Sequence, residues 1–187
     1  MKEYIENYLD ELIQISTLID RNTINNFLKH IRILQQSEGR LFIVGVGGSA
    51  ANASHAVNDF RKILGIETYS PLDNVAELTA RINDDGWDTS LSNWLLTSKI
   101  NENDYILVLS VGGGSPNTSQ NLVKAMELAK DKNATILSIV SRNGGIAKEL
   151  SDCCVIIPVV NEDAITPHAE EWQGIIWHMV MALLEEK

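Results

Sequence analysis

Cysteine is nearly absent: two residues in 187, Cys153 and Cys154, side by side. Neighbours in a strand point to opposite faces, so a bond between them would be strained. A disulfide scaffold is excluded, and both thiols read as small apolar fillers of a buried strand. Proline is also scarce, at four residues, so proline-rich linkers are excluded. No apolar run reaches the length of a membrane span. The first twenty residues carry Glu3, Glu6, Asp10 and Glu11 among their apolar positions, which does not fit a secretory signal. Basic residues are in deficit: 15 against 25 acidic, a formal charge of -10. Such a surface repels nucleic acid and anionic membranes, so neither is expected as a partner. A cytoplasmic protein is expected. Hydrophobic residues make up 44%, enough for a substantial core and too many for a disordered chain.

What is there alternates. The first 37 residues carry two helical stripes. Ile5, Tyr8, Leu9, Leu12, Ile13 and Ile15 keep one helical period. Ile24, Phe27, Leu28, Ile31 and Leu34 form the second stripe, with Asn22-Thr23 as its cap and Gly39 as its end. Apolar strands are then expected at 41–44, 68–69, 105–109, 134–140 and 153–159. Helices are expected at 50–64, 73–81, 87–98, 118–131, 146–150 and 167–186, with Asn83-Asp84-Asp85-Gly86 as a loop. Strands alternating with helices imply a parallel sheet covered on both faces. The expected fold is α/β, a three-layer doubly wound parallel sheet with N-terminal helices. Residues 1–187 are expected to form a single domain, with 1–37 packing on it or on a partner subunit.

Two glycine-rich loops follow strands, where ligands of such sheets bind. The first is Gly45-Val46-Gly47-Gly48-Ser49-Ala50. Gly45, Gly47 and Ala50 also fit a dinucleotide fingerprint, with Glu67 near the ribose-binding spacing. That reading competes with anion binding at the following helix N-terminus. The second loop, Ser110 to Ser119, holds three glycines and several hydroxyls. Two such loops at one sheet edge suit a phosphorylated sugar, one for phosphate and one for hydroxyls. His55 and Asp59, four apart on a helix, share a face. They suit either a metal ion or acid–base work. The last helix carries Glu170, Glu171 and His178. Glu170 and His178 are eight apart, about 12 Å of helix rise, a long reach for one ion.

These elements in this order resemble the phosphoheptose isomerase family of SIS (sugar isomerase) domain proteins. The features are the Gly-Val-Gly-Gly-Ser loop, His55 four before an acid, Asn83-Asp84-Asp85-Gly86, the serine/glycine loop and His178. The resemblance spans nearly the whole chain. It implies conversion of sedoheptulose 7-phosphate to glycero-manno-heptose 7-phosphate. It places Val46, Gly47, Gly48, Ser49, Asn83, Asp84, Ser110, Val111, Gly112, Ser115 and Glu170 against substrate. It implies one Zn²⁺ per subunit on His55, Asp59, Glu170 and His178, with Asp59 and His178 as acid/base residues. It also implies a homotetramer with active sites at subunit boundaries. Asp59 stands where the family has glutamate and Glu170 where it has glutamine. Ser-Val-Gly replaces its Ser-Thr-Ser. The other reading of such a domain is a non-catalytic sugar-phosphate sensor or protein adaptor, which would not need the His/Asp and Glu/His pairs.

Overall fold

The computed structural model of the chain describes residues 2–185. Helices α1 (Lys2–Leu18) and α2 (Arg21–Gln35) open it. The cap of α2 is Asp20, not Asn22-Thr23. Its carboxylate accepts the Asn22 N–H at 2.9 Å and the Thr23 hydroxyl at 2.6 Å. An ionised acid is the stronger acceptor at a helix start. The α2 stripe buries Ile24, Phe27, Ile31 and Leu34. Helix α1 buries only Ile15 and leaves Tyr4, Ile5, Leu9, Ile13 and Leu18 exposed.

Strand β1 (Leu41–Gly45) leads to α3 (Gly48–Lys62), then β2 (Thr68–Tyr69), α4 (Val75–Asp85) and α5 (Ser90–Thr97). Next come β3 (Tyr105–Leu109), α6 (Gln120–Asp131), β4 (Thr135–Val140), α7 (Gly145–Leu150) and β5 (Cys153–Ile156). A 3₁₀ turn at Glu162–Ala164 precedes the last helix, α8 (Ile165–Leu184). The expected element types hold, with local differences in extent. Helix α4 runs through Asn83-Asp84-Asp85 and stops at Gly86, whose φ of +84° ends it. Helix α8 starts before Pro167, which is tolerated in a first turn because those N–H groups have no helical partner. Glu186, in the expected helix, lies outside the described residues.

The five strands are all parallel, in the order β2-β1-β3-β4-β5. Alternate residues feed two separate cores, as the period of a strand requires. Leu41 and Ile43 of β1, with Leu107 and Leu109 of β3, pack under α2, α3 and α8. Phe42, Val44, Ile106 and Val108 pack under α5, α6 and α7. The chain leaves β1 toward β2 on one side and crosses back to β3 on the other. The loops after β1 and β3 therefore part at the carboxyl edge, the position where doubly wound sheets bind ligands. Cys153 is buried and Cys154 partly so; both are free thiols, and burial pushes Cys153 up to about 11.

Asp104 pins the opposite edge. It is 1% exposed and lies just before β3. It accepts from the Arg40 and Asn101 backbones, from the Arg40 guanidinium at 2.7 and 3.0 Å, and from the Asn101 amide.

Helix α1 is tied to α8 by polar contacts. The Tyr8 hydroxyl donates to Glu171 at 2.8 Å, and the Asn161 amide donates to Glu11 at 2.8 Å. His168, 3% exposed, lies 2.6 Å from Glu11 through Nε2. Desolvation first, then Glu171, pushes the Tyr8 hydroxyl up to about 12. The His168 hydrogen bond holds the Glu11 carboxyl below the usual range. A carboxyl depressed on folding adds stability above its unfolded pKa of about 4.3, and the gain is lost as pH falls through the folded value. The protection factors of the α1 amides, which correct for the slower intrinsic exchange in acid, should therefore fall below about pH 4. Glu11→Gln should lower them at neutral pH and flatten that acid response.

Candidate active site

The first loop is shaped by what side chains would collide with. A Cβ at Gly45 would strike the Ser49 backbone, and one at Gly48 would strike the Glu170 carboxylate. Gly47 has φ of +65°, which favours glycine. Helix α3 thus starts at Gly48, two residues earlier than the hydropathy pattern places it. Ser49 is buried at 1%, and its hydroxyl accepts from the Gln173 amide at 3.0 Å. The Asn52 amide donates to the Glu170 carbonyl at 2.8 Å and to Gln173 at 2.9 Å. This network clamps the start of α3 to α8.

The second loop folds on itself. Ser110 accepts the Gly113 N–H at 3.1 Å, and Gly113 and Gly114 have φ of +71° and +81°. Their carbonyls accept N–H groups of Ala147 and Ile146 at the start of α7. The result is a cleft of about 1040 Å³. It takes in Val46, Ser110, Val111, Gly112 and Ser115 of the expected substrate residues. It adds Thr118, Ser119, Arg142 and Lys148, which gives an anion both hydroxyls and positive charge. Neither cation stood out in the sequence; their only signal is flanking the Asn143-Gly144-Gly145 turn after β4. Gly47, Gly48 and Ser49 do not line this cleft, and neither do Asn83 and Asp84. Asn83 and Asp84 are exposed in the last turn of α4, where the Asn83 amide donates to Asp84 at 2.7 Å.

His55, Asp59 and His178 come together within one chain. Asp59 Oδ2 lies 3.4 Å from His55 Nε2 and 3.2 Å from His178 Nε2. The two imidazole centroids are 5.3 Å apart. One donor atom from each residue lies within 4.8 Å of the others. Asp59 is 7% exposed, whereas both histidine side chains are about half open, at 55% and 52%. Two imidazole nitrogens and one carboxylate oxygen are a donor set that suits Zn²⁺ with a position left for a further ligand. Glu170, the fourth ligand the resemblance implies, is not in this cluster. Its carboxylate lies over Gly48 instead.

Helix α8 links the two features. Thr166 lines the cleft, Glu170 covers Gly48, Gln173 holds Ser49, and Trp177 reaches Asp59. Thr166 and His178 stand about 18 Å apart along the helix axis. The Asn52, Gln173 and Trp177 contacts escape a reading by motif. Their signal is a polar stripe, Glu170-Gln173 and Ser49-Asn52, on two otherwise apolar helix faces.

Five parallel strands between two helical layers, with loops at the switch point and a His/Asp/His cluster, define a SIS-type α/β protein. No protein-family model matches the chain. Phosphoheptose isomerase from Helicobacter pylori (strain ATCC 700392 / 26695) is 31% identical over 157 residues, covering 80% of this chain and 76% of that protein. Phosphoheptose isomerase from Aneurinibacillus thermoaerophilus is 27% identical over 197 residues, covering 100% and 94%. The solved structure of a phosphoheptose isomerase from Francisella tularensis superposes with a TM-score of 0.84 at 21% identity, covering 97% of this chain and 96% of that one. The chain belongs to the phosphoheptose isomerase family.

Proposed function

We propose that the protein is a sugar-phosphate aldose–ketose isomerase. It interconverts sedoheptulose 7-phosphate and D-glycero-D-manno-heptose 7-phosphate through an enediol(ate). The observation that carries this reading is the meeting of His55, Asp59 and His178 in a chain whose second loop forms a cleft suited to a phosphorylated sugar. A passive sugar-binding module has no use for that cluster.

The reaction moves one proton between neighbouring carbons. C1 of the ketose loses a proton while the C2 oxygen gains one, giving the enediol. C2 then takes a proton while the C1 oxygen gives one up, leaving the aldehyde. Asp59 and His178 are the groups that take and return these protons. Ser110, Ser115 and the backbone of Val111 and Gly112 hold the phosphate end, with Val46, Gly47, Gly48 and Ser49 toward the sugar. Asn83, Asp84 and Glu170 complete the substrate set when subunits assemble. His55, Asp59 and His178 would hold Zn²⁺, and Glu170 would join them only after its side chain leaves Gly48. The chemistry a bound Zn²⁺ supplies is polarisation of the carbonyl and hydroxyl.

Residues 1–187 act as one domain of a cytoplasmic homotetramer in this reading. The separation along α8 supports an active site built across a subunit boundary. The exposed apolar residues of α1 support the assembly. A monomer at micromolar concentration in sedimentation would overturn it.

A coupled assay on a panel of ketose phosphates, run with chelator and then with added zinc, tests the function. Turnover of sedoheptulose 7-phosphate is expected, lost on chelation and restored by zinc. No turnover of any ketose phosphate in the presence of zinc would reject it.

A further inference from the structure

Trp177 is 1% exposed, so its indole N–H must find a partner within the protein or go without. It donates to Asp59 Oδ2 at 3.3 Å. That is the oxygen both histidines approach. The other Asp59 oxygen accepts from the Asn58 amide at 3.1 Å. Each carboxylate oxygen therefore has its own donor, and the rotation of the group is fixed from two sides. The indole also walls the histidines. Its ring lies edge-on to His55 at 5.5 Å and against His178 at 5.1 Å. One side chain thus touches all three members of the cluster.

The partnership is not a general demand of packing on α8. Trp172, on the same helix and 6% exposed, has no hydrogen-bond partner for its own indole nitrogen among the described residues. Helix α8 accommodates one buried indole N–H unpaired and aims the other at Asp59. An aspartate is short, and a small rotation would carry Oδ2 away from both imidazoles. Groups that hydrogen-bond to a ligating or proton-transferring carboxylate set its orientation, and losing one typically costs 10–100-fold in metal affinity or activity.

We propose that Trp177 is a positioning residue for the reaction: its indole N–H aims the Asp59 carboxylate at His55 and His178, and its ring fixes the two imidazoles. The inference rests on the isomerase reading. Trp177→Phe keeps one aromatic ring against the histidines and removes the N–H together with part of the buried ring, so kcat and zinc affinity are read per folded molecule beside a thermal melt. It should lower kcat about tenfold while KM for sedoheptulose 7-phosphate stays within about twofold. A merely structural role would move thermal stability and leave kcat per folded molecule alone. Zinc affinity of the chelator-stripped chain, measured by indicator competition, should fall by a similar factor. The uncut chain supplies a readout free of that substitution. The Trp177 indole N–H resonance should move when Asp59 becomes Asn, while those of Trp87, Trp94 and Trp172 stay in place. Unchanged kcat and zinc affinity in a folded Trp177→Phe protein would overturn the proposal, as would an indole resonance indifferent to Asp59→Asn. If the wild-type chain turns over no ketose phosphate, the isomerase reading falls, and zinc affinity with the indole resonance still decides on Trp177.

Discussion

Replacing His178 by Gln is expected to lower turnover of sedoheptulose 7-phosphate about a thousandfold, the usual scale for removing a positioned acid–base group. The melting temperature should barely move. The imidazole is about half open to solvent, and glutamine is a good helix former in the middle of α8. The variant loses a nitrogen 3.2 Å from Asp59 Oδ2 and leaves the core residues Ile176, Trp177 and Val180 untouched. Because His178 acts on the transferred proton and the phosphate end is held by the second loop, substrate affinity should change far less than kcat. Steady-state kinetics beside a thermal melt separate these quantities. A folded variant with full turnover would remove His178 from the mechanism.

Asp104→Ala should act in the reverse sense, on stability with little effect on chemistry. The carboxylate is almost fully buried and serves the Arg40 guanidinium and three further N–H groups at the amino edge of the sheet. Removing it orphans donors from β1's approach and from the Asn101 turn together. Breaking a buried, hydrogen-bonded ion pair costs about 3–5 kcal/mol. For a chain of this size that is a drop on the order of 10 °C in melting midpoint. The cleft lies at the opposite edge, so turnover per folded molecule should be preserved. A melt superimposable on wild type would show that Arg40 and Asn101 find replacements in water.

Local patterns carried most of the architecture. Leu41 to Val44 and Tyr105 to Leu109 are short apolar runs ended by glycine or serine, and no element but a buried strand suits them. The i,i+4 spacing of His55 and Asp59 put both on one face of α3 without any knowledge of the rest. The reading was less complete where a residue's role depends on a partner more than a hundred positions away. Gln173 and Ser49, Trp177 and Asp59, and Glu170 and Gly48 meet only because α8 packs along α3. Asp104 sits in Asn101-Glu102-Asn103-Asp104, which reads as an ordinary solvated turn until its burial is seen. Asn83 and Asp84 show another limit. Their spacing suits the family motif, yet within one chain they stay on the outer end of α4.

The carboxylate lying over Gly48 has a bearing on how a guest molecule is oriented. The amino end of α3 would ordinarily welcome an oxyanion, and here a resident negative group already covers it. In the proposed reaction, Coulomb repulsion would turn the doubly charged tail of a sugar phosphate away from that helix and toward Arg142 and Lys148, leaving the uncharged hydroxyl head to face α3. The polarity of docking would then follow from one acidic side chain set against two basic ones.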